Sequence, residues 1–219
     1  MADSLARAQL ARAADTFRCA AGSLLPAMVL MTDDERLPDL RATVLALPRD
    51  SLVVLRSREE ERRIALAGLI AGLAPRRGIK WLVADDPGLA VRMGANGAHF
   101  PESKFALAAR WRVCRPDWII TCAAHSLHAL FRAKLVGASA ALLSPIFPTM
   151  SHPGSGSLGS IRARSIASAA QLPVYALGGV DARTARQLAG GLFVGIAAIS
   201  GLAVRFRDAG RCACDRVNV

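Results

Sequence analysis

Aromatic residues are scarce in this chain, only 5% of 219 residues with a single tyrosine. That scarcity, with no zinc-finger spacing and no RNA-recognition aromatic motif, argues against a nucleic-acid-binding module, which stacks bases on aromatic rings. No apolar run reaches the roughly 18 residues of a membrane span, and the N-terminus lacks a secretory signal's order of basic start, apolar centre and small-residue cleavage site. Arg7, Arg12 and Arg18 among alanines imitate an organelle presequence, but Asp3 and Asp15 do not suit one, so the segment reads as an ordinary helix. Cysteines number five. Cys114 and Cys122 sit in apolar surroundings as small hydrophobes, and no second Cys or His pair lies near Cys212 and Cys214 to complete a metal site. A reducing cytoplasm fits this usage.

Acidic residues are also few: 17 against 28 basic ones, a net charge of +11. Such a balance suits nucleic acid, an anionic membrane surface or a phosphorylated small molecule, and charge alone does not choose among them, although the scattered placement of the basic residues counts against nucleic acid. What the chain has in quantity is apolar residues, 53% against 21% charged, the composition of a globular protein with a sizeable core. The reading is a helical extension over 1–24, one barrel domain over 25–207 and a C-terminal tail over 208–219. No linker divides the chain.

Eight short apolar runs alternate with helical patterns: Ala27–Met31, Leu52–Leu55, Trp81–Ala84, Gly97–Phe100, Trp118–Cys122, Ala140–Ser144, Val174–Leu177 and Phe193–Ala197. Continuous apolar runs mark strands buried on both faces, as in parallel sheets. Between the second and third, Leu66, Leu69, Ile70 and Leu73 recur at helical spacing within 59–73. Eight such units predict a compact (β/α)8 TIM barrel, an α/β fold, with a doubly wound open sheet as the alternative. The Gly, Ser and Pro-rich stretch Pro148–Ser160 is long for a βα turn, and its place after the sixth strand reads as functional.

In a barrel, residues closing the strands share one mouth. Here these are Thr32 and Asp33, Arg56 and Arg58, Asp85 and Asp86, His99, His125, the run from Ser144 to His152, Gly178 and Gly179, and Ser200. Gly178-Gly179 after the seventh strand and Ile199-Ser200-Gly201 after the eighth can cradle phosphate with backbone N–H groups. Arg56 and Arg58 share a strand face and offer two cations to anionic oxygens. Asp85 and Asp86 suit Mg2+ as hard carboxylate ligands, although Asp86 before Pro87 reads better as a helix N-cap. His99 on an apolar run reads as a core residue, His125 as an acid/base candidate, and His128 as surface.

These motifs together carry a resemblance. Leu30-Met31-Thr32-Asp33, Gly94-Ala95-Asn96-Gly97-Ala98-His99-Phe100, Pro145-Ile146-Phe147-Pro148-Thr149, Ala176-Leu177-Gly178-Gly179-Val180 and Ala198-Ile199-Ser200 occur in order. The sequence from Met28 to Leu202 resembles the thiamine phosphate synthase family, which includes the related thiazole tautomerases. The resemblance implies a (β/α)8 barrel that joins hydroxymethylpyrimidine diphosphate to a thiazole phosphate and releases diphosphate with Mg2+.

Carried over residue by residue, the resemblance implies that Arg56 and Arg58 face the diphosphate, although Arg58 stands for a lysine and Val54 for a glutamine. Asp85 keeps one Mg2+ ligand, but Ala84 precedes it where the family has asparagine, and the second carboxylate is replaced by Lys104. Ala123 replaces a serine. Thr149 and Ser151 match hydroxyls that contact phosphate, while His152 stands for a lysine. Gly178, Gly179, Ile199 and Ser200 match the thiazole-phosphate cradle. The phosphate end is kept and the pyrimidine end altered. That asymmetry admits two other readings, a thiazole tautomerase using His125 and a non-catalytic binder of a phosphorylated thiazole.

Overall fold

A computed structural model describes residues 2–149 and 156–204. Eight parallel strands close into one barrel in sequence order, as the eight apolar runs predict. They are β1 (Met28–Met31), β2 (Leu52–Leu55), β3 (Lys80–Ala84), β4 (Gly97–Phe100), β5 (Ile119–Ala124), β6 (Ala140–Leu143), β7 (Val174–Ala176) and β8 (Gly195–Ala198). Closure is made by Val29 against Ala197 and Leu30 against Ala198. The open-sheet alternative falls with that pairing.

Successive side chains on a strand point to opposite faces, so a run buried throughout must meet two separate cores. Val29, Met31, Leu52, Val54, Leu82, Leu142 and Tyr175 fill the barrel interior, while Leu30, Val53, Leu55, Val83 and Ile120 face the surrounding helices. Tyr175 is fully buried, and its hydroxyl donates to the carbonyl of Pro26 at 2.7 Å. This satisfies the one polar atom the ring carries inside.

Among the described residues seven helices surround the strands: α1 (Ala2–Ala20), α2 (Leu40–Ala46), α3 (Glu60–Arg77), α4 (Pro87–Arg92), α5 (Phe105–Cys114), α6 (Leu127–Leu135) and α7 (Ser160–Ala169). On α3 the fully buried seam is Ala67, Ile70 and Ala74, with Leu66, Leu69 and Leu73 half-buried beside it. Small alanines let the helix axis approach the strands, so the leucines flank the contact instead of forming its centre. The helix stops at Gly78, in the left-handed region, where glycine carries no Cβ penalty. Between β7 and β8 the crossover is only a 3-10 segment, Thr184–Leu188.

The N-terminal helix is integral to the core. It packs against β8 and β1, burying Leu10, Ala14 and Phe17, with the Phe17 ring 6.4 Å from that of Phe193. The 208–219 tail lies outside the described residues. At eight of the sixteen strand ends the periodic reading is one or two residues off. Trp118 precedes β5 and Phe193 precedes β8, each buried at a strand entrance, and Leu177 lies just beyond β7. Apolarity reports burial, while the ladder's hydrogen bonds define the strand.

Candidate functional site

The mouth is assembled from turns that follow the strands. After β1 the chain runs Thr32-Asp33-Asp34, and each residue grips the turn after β2. The Thr32 hydroxyl donates to the carbonyl of Arg56 at 2.9 Å and accepts the Arg56 N–H at 2.8 Å. Asp33 Oδ2 accepts from the Arg56 guanidinium at 3.1 Å and from Arg36 at 2.7 Å. Hydrogen bonding from Arg36 holds the Asp33 carboxyl down to about 2, so this anion stays charged and fixes the direction of Arg56. Asp34 accepts from the Ser57 hydroxyl and the Arg58 N–H and pairs with Arg62 at 3.0 Å. Among the described residues the Arg58 guanidinium forms no ion pair.

The next pair of turns brings Asp85 and Lys104 together. Asp85 follows β3 in the left-handed region, with φ of 63°, a conformation that aspartate tolerates better than most residues. Its N–H donates to the carbonyl of His99 at 2.8 Å, and its Oδ1 lies 2.7 Å from the ammonium of Lys104. Lys104 ends the 3-10 turn Glu102–Lys104 after β4. Asp86 is the N-cap of α4, its Oδ1 accepting the Leu89 N–H at 2.8 Å with Pro87 at the first helical position. The structural reading of Asp86 holds.

Mg2+ takes one or two carboxylates with near-octahedral geometry and keeps the remaining positions for water and substrate oxygens. The Asp85 carboxylate is instead engaged by a cation, and no three His, Cys, Asp or Glu groups cluster among the described residues. The residues present do not fit Mg2+ at Asp85, because an ammonium at 2.7 Å both uses the ligand oxygen and repels a second cation.

His99 lies beneath this quadrant. It is buried, and its Nδ1 is 2.9 Å from the hydroxyl of buried Thr121. Burial lowers its pKa to about 4, the positive Arg56 adds to the shift, and Asp85 opposes it. The ring is therefore neutral at pH 7 and serves as part of the floor. Val54, in the position of the family's glutamine, is fully buried in the barrel interior and offers no hydrogen bond there.

Next round the ring, after β5, His125 is exposed and its Nδ1 lies 2.8 Å from the carbonyl of Ser144. Since a carbonyl only accepts, Nδ1 carries the proton and Nε2 is left with its lone pair. Cys122, behind it on β5, is buried, and burial pushes its thiol up to about 12. It packs as a hydrophobe.

After β6 the chain extends alongside β7, with Ile146 donating to Leu177 O and Phe147 to Gly178 O, each at 3.0 Å. Leu158 and Gly159 return to Pro145 and Ile146 at 3.0 and 2.8 Å, so both ends of the long loop are anchored where Thr149 begins it. Ser151 and His152 lie outside the described residues. Gly178 and Gly179 have φ of 92° and 65°. A Cβ on Gly178 would stand 2.8 Å from Pro145 Cα, and one on Gly179 2.6 Å from Pro148 O, so both positive φ and close backbone approach require glycine. Among the described residues no protein acceptor takes the N–H of Gly178, Gly179 or Ser200. Half-buried Ile199 and exposed Ser200 follow β8 on the same rim.

Adjacent turns thus touch around the ring: Arg56 by Asp33, Asp85 by Lys104, His125 by Ser144 and Gly178 by Pro145. Asp33 was expected at the mouth but given no role, and Asp34 was not expected there, because nothing in a Thr-Asp-Asp turn reveals which guanidinium it will orient. Their position directly after a strand was the available signal.

The sequence model of the family described as thiamine monophosphate synthase matches residues 29–202. A putative thiamine-phosphate synthase 2 of Aquifex aeolicus is 38% identical over 92 residues, covering 42% of this chain and 49% of the relative. A thiamine-phosphate synthase of Halorhodospira halophila is 31% identical over 157 residues, covering 69% and 75%. The solved structure of a thiamine phosphate pyrophosphorylase from Pyrococcus furiosus superposes with a TM-score of 0.66 at 21% identity, covering 79% of this chain and 85% of that one. The last is a likeness of fold. With the family's model matched across nearly the whole barrel, from within β1 to the turn after β8, this chain belongs to the thiamine monophosphate synthase family.

Proposed function

We propose that the protein is a transferase of the thiamine-phosphate synthase type, acting in thiamine biosynthesis on a pyrimidine diphosphate and a thiazole phosphate. The observation that carries this reading is the pairing, on one rim, of a backbone anion cradle after β7 and β8 with oriented cations after β2 and β4. Gly178, Gly179 and Ser200 would hold the thiazole phosphate through N–H groups and one hydroxyl. Arg56, Arg58 and Lys104 would receive the diphosphate.

In the joining step the bond from the pyrimidine methylene carbon to a diphosphate oxygen breaks, and its electron pair leaves with the diphosphate. The thiazole nitrogen supplies the pair for the new C–N bond. Negative charge grows on the leaving group, so cations already fixed by Asp33 and Asp85 stabilise it without reorganisation. The family in general uses Mg2+, whereas here the residues of the chain supply the positive charge described above. As the resemblance implies, Thr149, Ser151 and His152 would contact the phosphates.

One observation favours a second reading. His125, tied through Nδ1 and with no hydrogen bond at Nε2 among the described residues, is arranged as an acid/base, as a thiazole tautomerase requires. The experiment that separates them supplies the purified protein with both substrates and follows thiamine phosphate formation beside binding of the thiazole phosphate. Turnover supports the synthase. Binding without turnover, with His125→Gln abolishing proton exchange on a thiazole carboxylate phosphate, replaces it by the tautomerase, and binding alone by a non-catalytic binder. A cytoplasmic setting is part of the proposal, supported by the unpaired thiols of Cys19, Cys114 and Cys122. No described helix is long and apolar enough to cross a membrane.

A further inference from the structure

We infer that Lys104 is a built-in replacement for a divalent cation, and that this mouth binds a diphosphate group without metal. The inference deepens the proposed function, since it names how the same site handles its diphosphate substrate. It starts from a position and a charge. Lys104 stands on the rim between the ends of β4 and α5, and its ammonium lies against Asp85 Oδ1. Both side chains are nearly half exposed, and an ion pair so placed contributes little to stability. Fold stability therefore gives no account of the pair, but ligand chemistry does.

An ammonium has three donors, of which Asp85 takes one, leaving two directed outward for phosphate oxygens. Asp85 thereby changes its work, from coordinating a metal to positioning a lysine, and its left-handed backbone, tied to His99 O, fixes where that lysine rests. The flanking guanidinium of Arg56 is fixed in the same way by Asp33. Arg56 and Asp85, the partner of Lys104, both act on the His99 ring, whose neutrality adds no further charge. Two singly charged cations, each held by its own carboxylate, can present to a diphosphate the positive charge that one divalent ion would bring. Such a site needs no metal, and a metal entering it would have to displace an ammonium from its carboxylate.

The test is calorimetric titration of the full chain with inorganic diphosphate, once in EDTA and once in Mg2+. Wild-type protein is expected to bind in EDTA, with Mg2+ changing the affinity by no more than about twofold. Lys104→Gln should weaken binding in EDTA about tenfold, the loss of one charge-assisted contact, with an unchanged melting temperature. Lys104→Asp should bind poorly in EDTA and recover at least about tenfold in Mg2+, as a restored carboxylate pair would. Wild-type binding that requires Mg2+, or a Lys104→Gln variant with wild-type affinity in EDTA, overturns the inference. Metal-free, Lys104-dependent diphosphate binding without thiamine phosphate formation would defeat the proposed function and leave this inference standing. Turnover that stops in EDTA would do the reverse.

Discussion

On the β6–β8 side of the mouth the groups proposed to hold ligand are backbone N–H groups, shaped by Gly178 and Gly179 lying against Pro145 and Pro148. On the β1–β4 side they are side-chain cations, of which Arg56 and Lys104 are each fixed by a carboxylate from a neighbouring turn. A backbone cradle tolerates almost any change except in the residues that permit its conformation. A side-chain site can exchange one charged group for another, as Lys104 for a carboxylate, whenever a neighbour such as Asp85 can change partner. By the resemblance, the departures from the family's pattern lie at Val54, Arg58, Ala84 and Lys104 on the β1–β4 side, at Ala123 on β5 and at His152 in the loop after β6, while Gly178, Gly179, Ile199 and Ser200 carry none. The division follows the material from which each half is made.

The comparison is most directly broken at Gly178. In Gly178→Ala the new Cβ meets the main chain of Pro145 at 2.8 Å in a left-handed conformation with φ of 92°. Strain and overlap together should cost about 2–4 kcal/mol of stability. Thiazole-phosphate affinity should fall by more than about a hundredfold. Chemical denaturation and calorimetry would read both effects, and wild-type values would mean that backbone shape does not set the cradle.

His99 tests the floor under the side-chain half. The folded state keeps the ring neutral until about pH 4, whereas the unfolded chain binds its proton near the ordinary value of 6.5. Between these values the unfolded state binds more protons, so stability rises with pH there. It is fully present above 6.5 and is lost as pH falls towards 4, by on the order of 3 kcal/mol in all. Urea unfolding across this range should show the slope in wild type and a much flatter line in His99→Gln. Asp33 contributes separately, its stabilisation disappearing only as pH falls from 3.8 towards about 2.

Arg56→Ala sharpens the comparison from the cation side. It removes a charge-assisted contact worth about 1.5–3 kcal/mol to a bound diphosphate, or roughly 10- to 100-fold in affinity. Asp33 keeps Arg36, so the fold should lose little. A variant that binds inorganic diphosphate as wild type does would remove Arg56 from the site.

Most of the fold was legible because apolar runs report burial, and burial on both faces is what a parallel barrel imposes. Asp86-Pro87 also announced a helix start, since that pair solves a local hydrogen-bond problem. The site was legible in its members and less so in its wiring. Asp85 and Lys104 could each be named from the chain, but their 2.7 Å contact joins turns from two strands and depends on the left-handed Asp85 backbone. Nothing in local spacing encodes that. For the same reason Asp34 went unnoticed, although it clamps the entire Ser57-Arg58 turn.

The smallest expected effect belongs to Ser200→Ala. If the cradle is a backbone device, deleting one hydroxyl on its exposed rim leaves the N–H groups of Gly178, Gly179 and residue 200 itself in place. The cost is then a single hydrogen bond, about 0.5–1.5 kcal/mol, or roughly a 2- to 10-fold weaker thiazole phosphate by calorimetry. Diphosphate affinity on the far side of the mouth should not move. A loss as large as that of Gly178→Ala would mean that the hydroxyl, not the backbone, holds the phosphate. Both halves of the mouth would then be side-chain sites, and the retained glycines would need another cause.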